Sequence, residues 1–301
     1  MGTGIITKEL TKTYPGTKTP ALNNLSLQVN PGEVYGYLGA NGAGKSTTIR
    51  LLLNFIQPTA GMASINGLDI VRDSVKAKRH VGYLSGDVAL YPKMTGQELF
   101  NYLLKLHGVH DTTYLRALVK RFEATTNKPV GELSKGNRQK IGIIQALMHK
   151  PSVLILDEPT SGLDPLMQEV FYEAIREAKE RGAAVLMSSH NLVEAQTVCD
   201  RVGIIKNGKL IREQVMSDDS QLGGVTFRVV LSEASTLAQL KKSKGLKFLS
   251  QQGSNTALVQ PAGTINEALK ALSQFDIREL TTQQLNLENE FLEFYGNGDN
   301  Q

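Results

Sequence analysis

The chain has 301 residues, 41% hydrophobic and 21% charged, with 33 Lys and Arg against 29 Asp and Glu for a net charge of +4. That length buries a substantial core and suits one large domain plus a smaller one. The mild charge reads as a scattered solvated surface rather than a nucleic-acid footprint, and the single cysteine, Cys199, excludes an internal disulfide and a cysteine-based metal site.

The first apolar segments, Ile5-Ile6 and Leu25 to Val29, read as short strands around a turn at Tyr14-Pro15-Gly16. Tyr14 is an aromatic that either packs on the core or stacks on a base. Val34 to Leu38 reads as a buried strand, and Gly39 to Ser46 then matches G-x-x-x-x-G-K-[ST]. A helix is expected over Thr47 to Phe55 from the spacing of Ile49, Leu52, Leu53 and Phe55. Strand, tight loop and helix is the order a polyphosphate site needs, because a helix N-terminus offers converging N–H groups and a positive dipole. Gly39, Gly42 and Gly44 permit the turn, and with Asn41 and Thr47 they make the candidate cradle. Lys45 is expected to reach the β- and γ-phosphates, and the Ser46 hydroxyl to hold Mg²⁺. A glycine-rich turn that binds nothing is the bland alternative, and the flanking strand and helix argue against it.

Pro58 to Gly61 ends the helix, Ala63 to Gly67 gives a strand and turn, and Val81 to Leu84 another strand. Helices follow at Gln97 to Leu106, with Leu99, Tyr102, Leu103 and Leu106 at helical spacing, and at Thr113 to Phe122. They form a mostly helical insert over about residues 86–140. Glu132 to Lys140 opens a further helix running to Lys150, with Ser134 as its cap and Gly136 where a ligand can approach. Residues 152–159 are an apolar strand ending in Asp157 and Glu158, placed where α/β sheets bind ligands. Asp157 is expected to assist Mg²⁺ and Glu158 to polarise the attacking water. A loop at Ser161 to Pro165 leads into a helix over 166–179, and residues 183–190 make a strand ending in His190, whose neutral imidazole can contact a γ-phosphate.

Residues 201–211 read as a hairpin around Asn207-Gly208, and residues 218–224 as a linker. From 225 to 301 strands and helices alternate: Val225 to Leu231, Leu237 to Lys242, Ala257 to Gln260, Ile265 to Ser273 and a last helix, Leu285 to Phe294, with Leu287, Phe291 and Phe294 near one face. That makes a small α+β accessory domain with no recognisable site. The longest apolar runs, Val153 to Leu156 and Ala183 to Met187, are too short to cross a bilayer, and Met1 to Leu10 lacks the apolar region of a secretory signal, so a cytosolic location is expected.

Taken in order, the phosphate loop, Leu-Ser-Lys-Gly-Asn at 133–137, Leu-Asp-Glu-Pro at 156–159, Ser-Gly-Leu-Asp at 161–164 and the strand ending in His190 closely resemble the nucleotide-binding subunit of ATP-binding cassette transporters. The resemblance covers roughly residues 3 to 215. It implies an α/β fold, a P-loop NTPase cassette over 3–217 with a mixed sheet and a helical subdomain. It also implies ATP and Mg²⁺ as cofactors, with Tyr14 stacking on adenine, Ser134 and Gly136 contacting the γ-phosphate held by an opposite subunit, Asp164 in the loop that crosses the dimer interface, Glu158 as base and His190 as the switch histidine. The implied partners are a second cassette, in a homodimer or heterodimer, and a transmembrane permease on a separate chain that would hold this one at the inner face of the membrane; no nucleic acid is expected.

Asn137 and Arg138 bring the pattern close to type-two exporters of drugs and peptides. Two positions depart from the family: Lys135 stands where glycine is commonest, and Gly86 where a glutamine normally faces Mg²⁺, with Asp87 next to it as a substitute oxygen ligand. A cassette acting on ribosomes or DNA would carry a second phosphate loop or a long coiled coil, and neither pattern is present. A small-molecule kinase would have no use for the 133–137 segment.

Overall fold

The computed structural model describes residues 2–87, 90–216 and 225–284, which fall into two units, Met1–Met216 and Ser217–Gln301. In the first unit, β1 (Ile5–Lys12) pairs antiparallel with β2 (Leu22–Val29), Ile5 opposite Val29. A second sheet is built on β3 (Val34–Leu38), every residue of which is buried. The first sheet is completed by β4 (Ala60–Ile65) and the short β5 (Leu68–Asp69) in the order β2-β1-β4-β5.

The second sheet takes β6 (Val81–Leu84), β7 (Val153–Asp157), β8 (Ala184–Ser189), β9 (Arg201–Lys206) and β10 (Lys209–Val215) in the order β10-β9-β3-β8-β7-β6. All neighbours are parallel except β10, which turns back on β9 at Asn207-Gly208. The apolar residues of β3, β7 and β8 are buried on both faces, as unbroken apolar runs in a parallel sheet require.

Among the described residues, seven α-helices accompany these strands: α1 (Lys45–Leu52), α2 (Ser74–Lys78), α3 (Gly96–His107), α4 (Thr113–Arg121), α5 (Lys135–Leu147), α6 (Pro165–Glu180) and α7 (Leu192–Val198). The helical insert expected over 86–140 holds α3, α4 and the start of α5. Among the described residues no helix is long and apolar enough to cross a membrane.

Two expectations need correcting. The first helix begins at Lys45 and ends at Leu52, because Asn54 takes a left-handed turn (φ 50°); Phe55 is 58% exposed and meets Tyr83 edge-on at 5.9 Å instead of continuing an apolar stripe. In α3 the buried residues are Leu99, Phe100 and Leu104, whereas Tyr102 and Leu106 face outward. The helix carries apolar residues on two faces, so spacing alone selects the wrong partners for Leu99.

The second unit runs β11 (Val225–Leu231), α8 (Leu237–Leu240), β12 (Leu246–Gln251), β13 (Thr256–Pro261), α9 (Ile265–Leu272) and β14 (Ile277–Gln284). Its sheet is antiparallel with order β12-β13-β11-β14. That is the split β-α-β-β-α-β arrangement of ferredoxin-like folds. Its core holds Phe227, Val229, Leu231, Leu240, Val259, Ala268 and Leu272. The helix expected over Leu285 to Phe294 lies outside the described residues.

Candidate active site

The loop from Gly39 to Gly44 leaves the C-terminal end of β3 and feeds directly into α1. Gly42 and Gly44 are left-handed, at φ 82° and 118°. A Cβ on Gly39 would stand 2.7 Å from the Ile205 carbonyl, so this turn is closed to side chains by packing as well as by torsion. Unlike α3, α5 and α6, α1 has no side-chain cap, and its first-turn N–H groups are left for an anion. Lys45 is 6% exposed and donates from Nζ to the Gly39 carbonyl at 2.5 Å and the Ala40 carbonyl at 3.2 Å. Burial lowers its pKa, opposed by the charges of Glu158 and Asp157. Asn41, Gly42 and Ser46 are exposed, and Thr47 is half-buried.

Register brings the acids to this loop. Asp157, the last residue of β7, pairs with Ser188, and Leu38 at the end of β3 pairs with Ser189, so three strands end side by side. Ser188 Oγ donates to Asp157 Oδ1 at 2.5 Å, and Ser46 Oγ lies 3.4 Å from Asp157 Oδ2. A hydroxyl and a carboxylate at that separation are hard oxygen donors suited to Mg²⁺.

Glu158 is left-handed, at φ 47°, a strained setting for a residue with a Cβ. Its N–H is held by the Ser188 carbonyl at 3.2 Å and by Ser188 Oγ at 3.1 Å. The turn sends its carboxylate to His190, whose Nδ1 is 3.1 Å from Glu158 Oε1. The structure thus gathers Lys45, Ser46, Asp157, Glu158 and His190 on one sheet edge.

The remaining candidates lie at helix starts and on loops. Ser134 caps α5, its Oγ accepting the Asn137 N–H at 3.2 Å, and Asp164 caps α6 through the Met167 N–H at 3.0 Å. The start of α5 lies against the loop that leads into α6: a Cβ on Gly136 would stand 3.0 Å from the Gly162 carbonyl. Tyr14 lies on the β1–β2 loop with the Lys12 ammonium 5.5 Å from its ring centroid. Gly86, rather than Asp87, abuts Asp157, its Cβ position 3.5 Å from Oδ2; Asp87 itself is exposed.

Sequence reasoning missed five residues. Ser188 anchors both acids, and Gln139 donates from Nε2 to the Pro159 carbonyl at 2.6 Å, joining α5 to the segment after Glu158. Thr160 and Ser189 donate to the two oxygens of Glu194. The one clue was the pair of serines ending an otherwise apolar β8.

Residues 22–161 match the family model described as ABC transporter. The chain is 39% identical to the bacitracin transport ATP-binding protein BcrA of Bacillus licheniformis over 71% of its own length and 70% of that protein's. It is 33% identical to an uncharacterized ABC transporter ATP-binding protein, YhaQ, of Bacillus subtilis over 95% of its length and 97% of the relative's. Among solved structures, an ATP-binding subunit of an ABC transporter superposes with a TM-score of 0.67 at 31% identity, covering 73% of this chain and 94% of the other. A dimeric bacterial ABC transporter cassette gives 0.66 at 25% identity, covering 71% and 99%.

Proposed function

The chain belongs to the ABC transporter family as an ATP-binding, ATP-hydrolysing subunit, and from that premise we propose that two copies clamp ATP between the phosphate loop of one and the Ser134–Gly136 segment of the other. The observation that carries this reading is how open the phosphate site is, with Asn41, Gly42, Ser46 and His190 all exposed. Lys45, Ser46, Asp157, Glu158 and His190 share one sheet edge, while Ser134 and Gly136 are packed beside Gly162 and Asp164 at the starts of α5 and α6. A second copy laid over this exposed site supplies donors for the terminal phosphate from its Ser134–Gly136 segment, with Asp164 at the seam.

Within each site Lys45 and the uncapped start of α1 hold the phosphates, and Tyr14 stacks on the base. Asn41, Gly42 and Thr47 line the cradle. Ser46 and Asp157 would hold Mg²⁺, with Asp87 as a further oxygen donor, and the ion would neutralise charge on the phosphates. Glu158 takes the proton of the attacking water, and His190, in contact with it, meets the γ-phosphate. Splitting the terminal bond removes the charge shared by the two copies and lets them part.

The load is a type-two exporter permease on a separate chain, moving a drug or peptide, with this subunit at the inner face of the membrane. The support is the 133–138 pattern and a relative whose name gives bacitracin transport. The permease docks on the outward face of α3, where Tyr102 and Leu106 are exposed and Tyr91 meets Tyr102 edge-on at 6.4 Å. Affinity purification from the native membrane should bring down an integral membrane protein, and Leu106→Glu should release it while ATP binding persists. Recovery of the chain with no integral membrane protein contradicts the exporter reading.

A further inference from the structure

Glu194, in α7, is a buried carboxylate that the phosphoryl-transfer scheme does not use. It is 5% exposed, and each of its oxygens is claimed by a hydroxyl from a different segment. Thr160 Oγ1 donates to Oε1 at 2.8 Å, and Ser189 Oγ donates to Oε2 at 2.6 Å. Thr160 lies two residues after Glu158, and Ser189 immediately precedes His190. Ser189 Oγ also accepts the Asn191 N–H at 2.9 Å, which fixes the start of α7 to the same point.

We propose that Glu194 is a positioning residue that clips the loop after Glu158 to the strand end before His190, and so sets the Glu158–His190 contact. A buried carboxylate bonded to neutral hydroxyls is an expensive way to fill space, and an apolar side chain would pack α7 at lower cost. Burial raises its pKa while the two hydroxyls hold it down. What the carboxylate supplies, and an apolar group does not, is a two-ended link between the two segments that carry Glu158 and His190. Glu158 needs such a link, because its left-handed backbone is held by the surroundings and not by its own preference.

The inference rests on the ATPase reading above, and kinetics of the full chain separate the two. Glu194→Ala should lower kcat by at least about tenfold, as small misplacements of reacting groups do, with ATP affinity nearly unchanged. Glu194→Gln, which keeps the volume and one acceptor, should recover most of that loss. In a His190→Ala background the further effect of Glu194→Ala should shrink to about twofold or less, because residues acting through one contact are not additive. Should Glu194→Ala fail to fold, Thr160→Val cuts one end of the clip without emptying the site and should still lower kcat several-fold. Wild-type kcat in Glu194→Ala or in Thr160→Val, or an undiminished loss in the His190→Ala background, overturns the proposal. Absence of turnover in the unmodified chain contradicts the ATPase reading instead.

Discussion

Folded back onto the Gly39 and Ala40 carbonyls, the Lys45 ammonium already occupies the rim that a polyphosphate would take. Lys45→Ala removes charge-assisted bonds of about 1.5–3 kcal/mol, so ATP affinity should fall roughly 10- to 100-fold; equal affinity by calorimetry contradicts the cradle assignment. A second residue sets a pH limit. The His149 ring stacks on His107 at 4.0 Å, and burial followed by repulsion from His107 lowers its pKa from 6.5 to about 4. The folded state thus keeps His149 neutral while the unfolded chain protonates it below pH 6.5. Its contribution is complete above pH 6.5 and is lost as pH falls toward 4, at most about 3 kcal/mol. His149→Gln should therefore narrow the gap between urea midpoints at pH 7 and pH 5, and an unchanged gap refutes the assignment. Lys45, Asp157, Glu158 and His190 were legible because each follows an apolar strand or a glycine turn. Ser188 and Glu194 were not, since their bonds to Asp157 and Thr160 join residues 31 and 34 positions apart.

At the scale of elements, α5 is capped by the same residue that is proposed to face a phosphate. Ser134 satisfies the Asn137 N–H, so Ser134→Ala should cost about 0.5–2 kcal/mol in urea unfolding. If Ser134 also faces the terminal phosphate of a second copy, the same change should lower turnover, and a stability loss with wild-type turnover would leave it a cap alone. The longer helices were readable because α3, α5 and α6 each start at a Thr, Ser or Asp cap and carry sustained apolar spacing. The five-residue α2, the seven-residue α7, and the strands β12 and β14 went unread. Their patterns are too short, or as in β14 too polar, for periodicity to register. The outward turn of Tyr102 and Leu106 depends on which face of α3 meets α5, a choice made by tertiary packing.

For the whole molecule, the chain falls into two units, Met1–Met216 and Ser217–Gln301, each with a core of its own. Strand order was not legible in either unit. Nothing local to β11 says that β13 and β14 will pair with it, because those contacts close over tens of residues. The proposed division of the ATP site belongs to the whole molecule: in that reading one copy holds the phosphate loop and the acids, and a second brings Ser134 and Gly136. Glu158→Gln removes the base and leaves the cradle, so it should trap the assembled state. In sedimentation of this variant with Mg²⁺ and saturating ATP, the account predicts a species of twice the 32.9 kDa chain mass that dissociates when Lys45→Ala is added. A monomer at saturating ATP would contradict it.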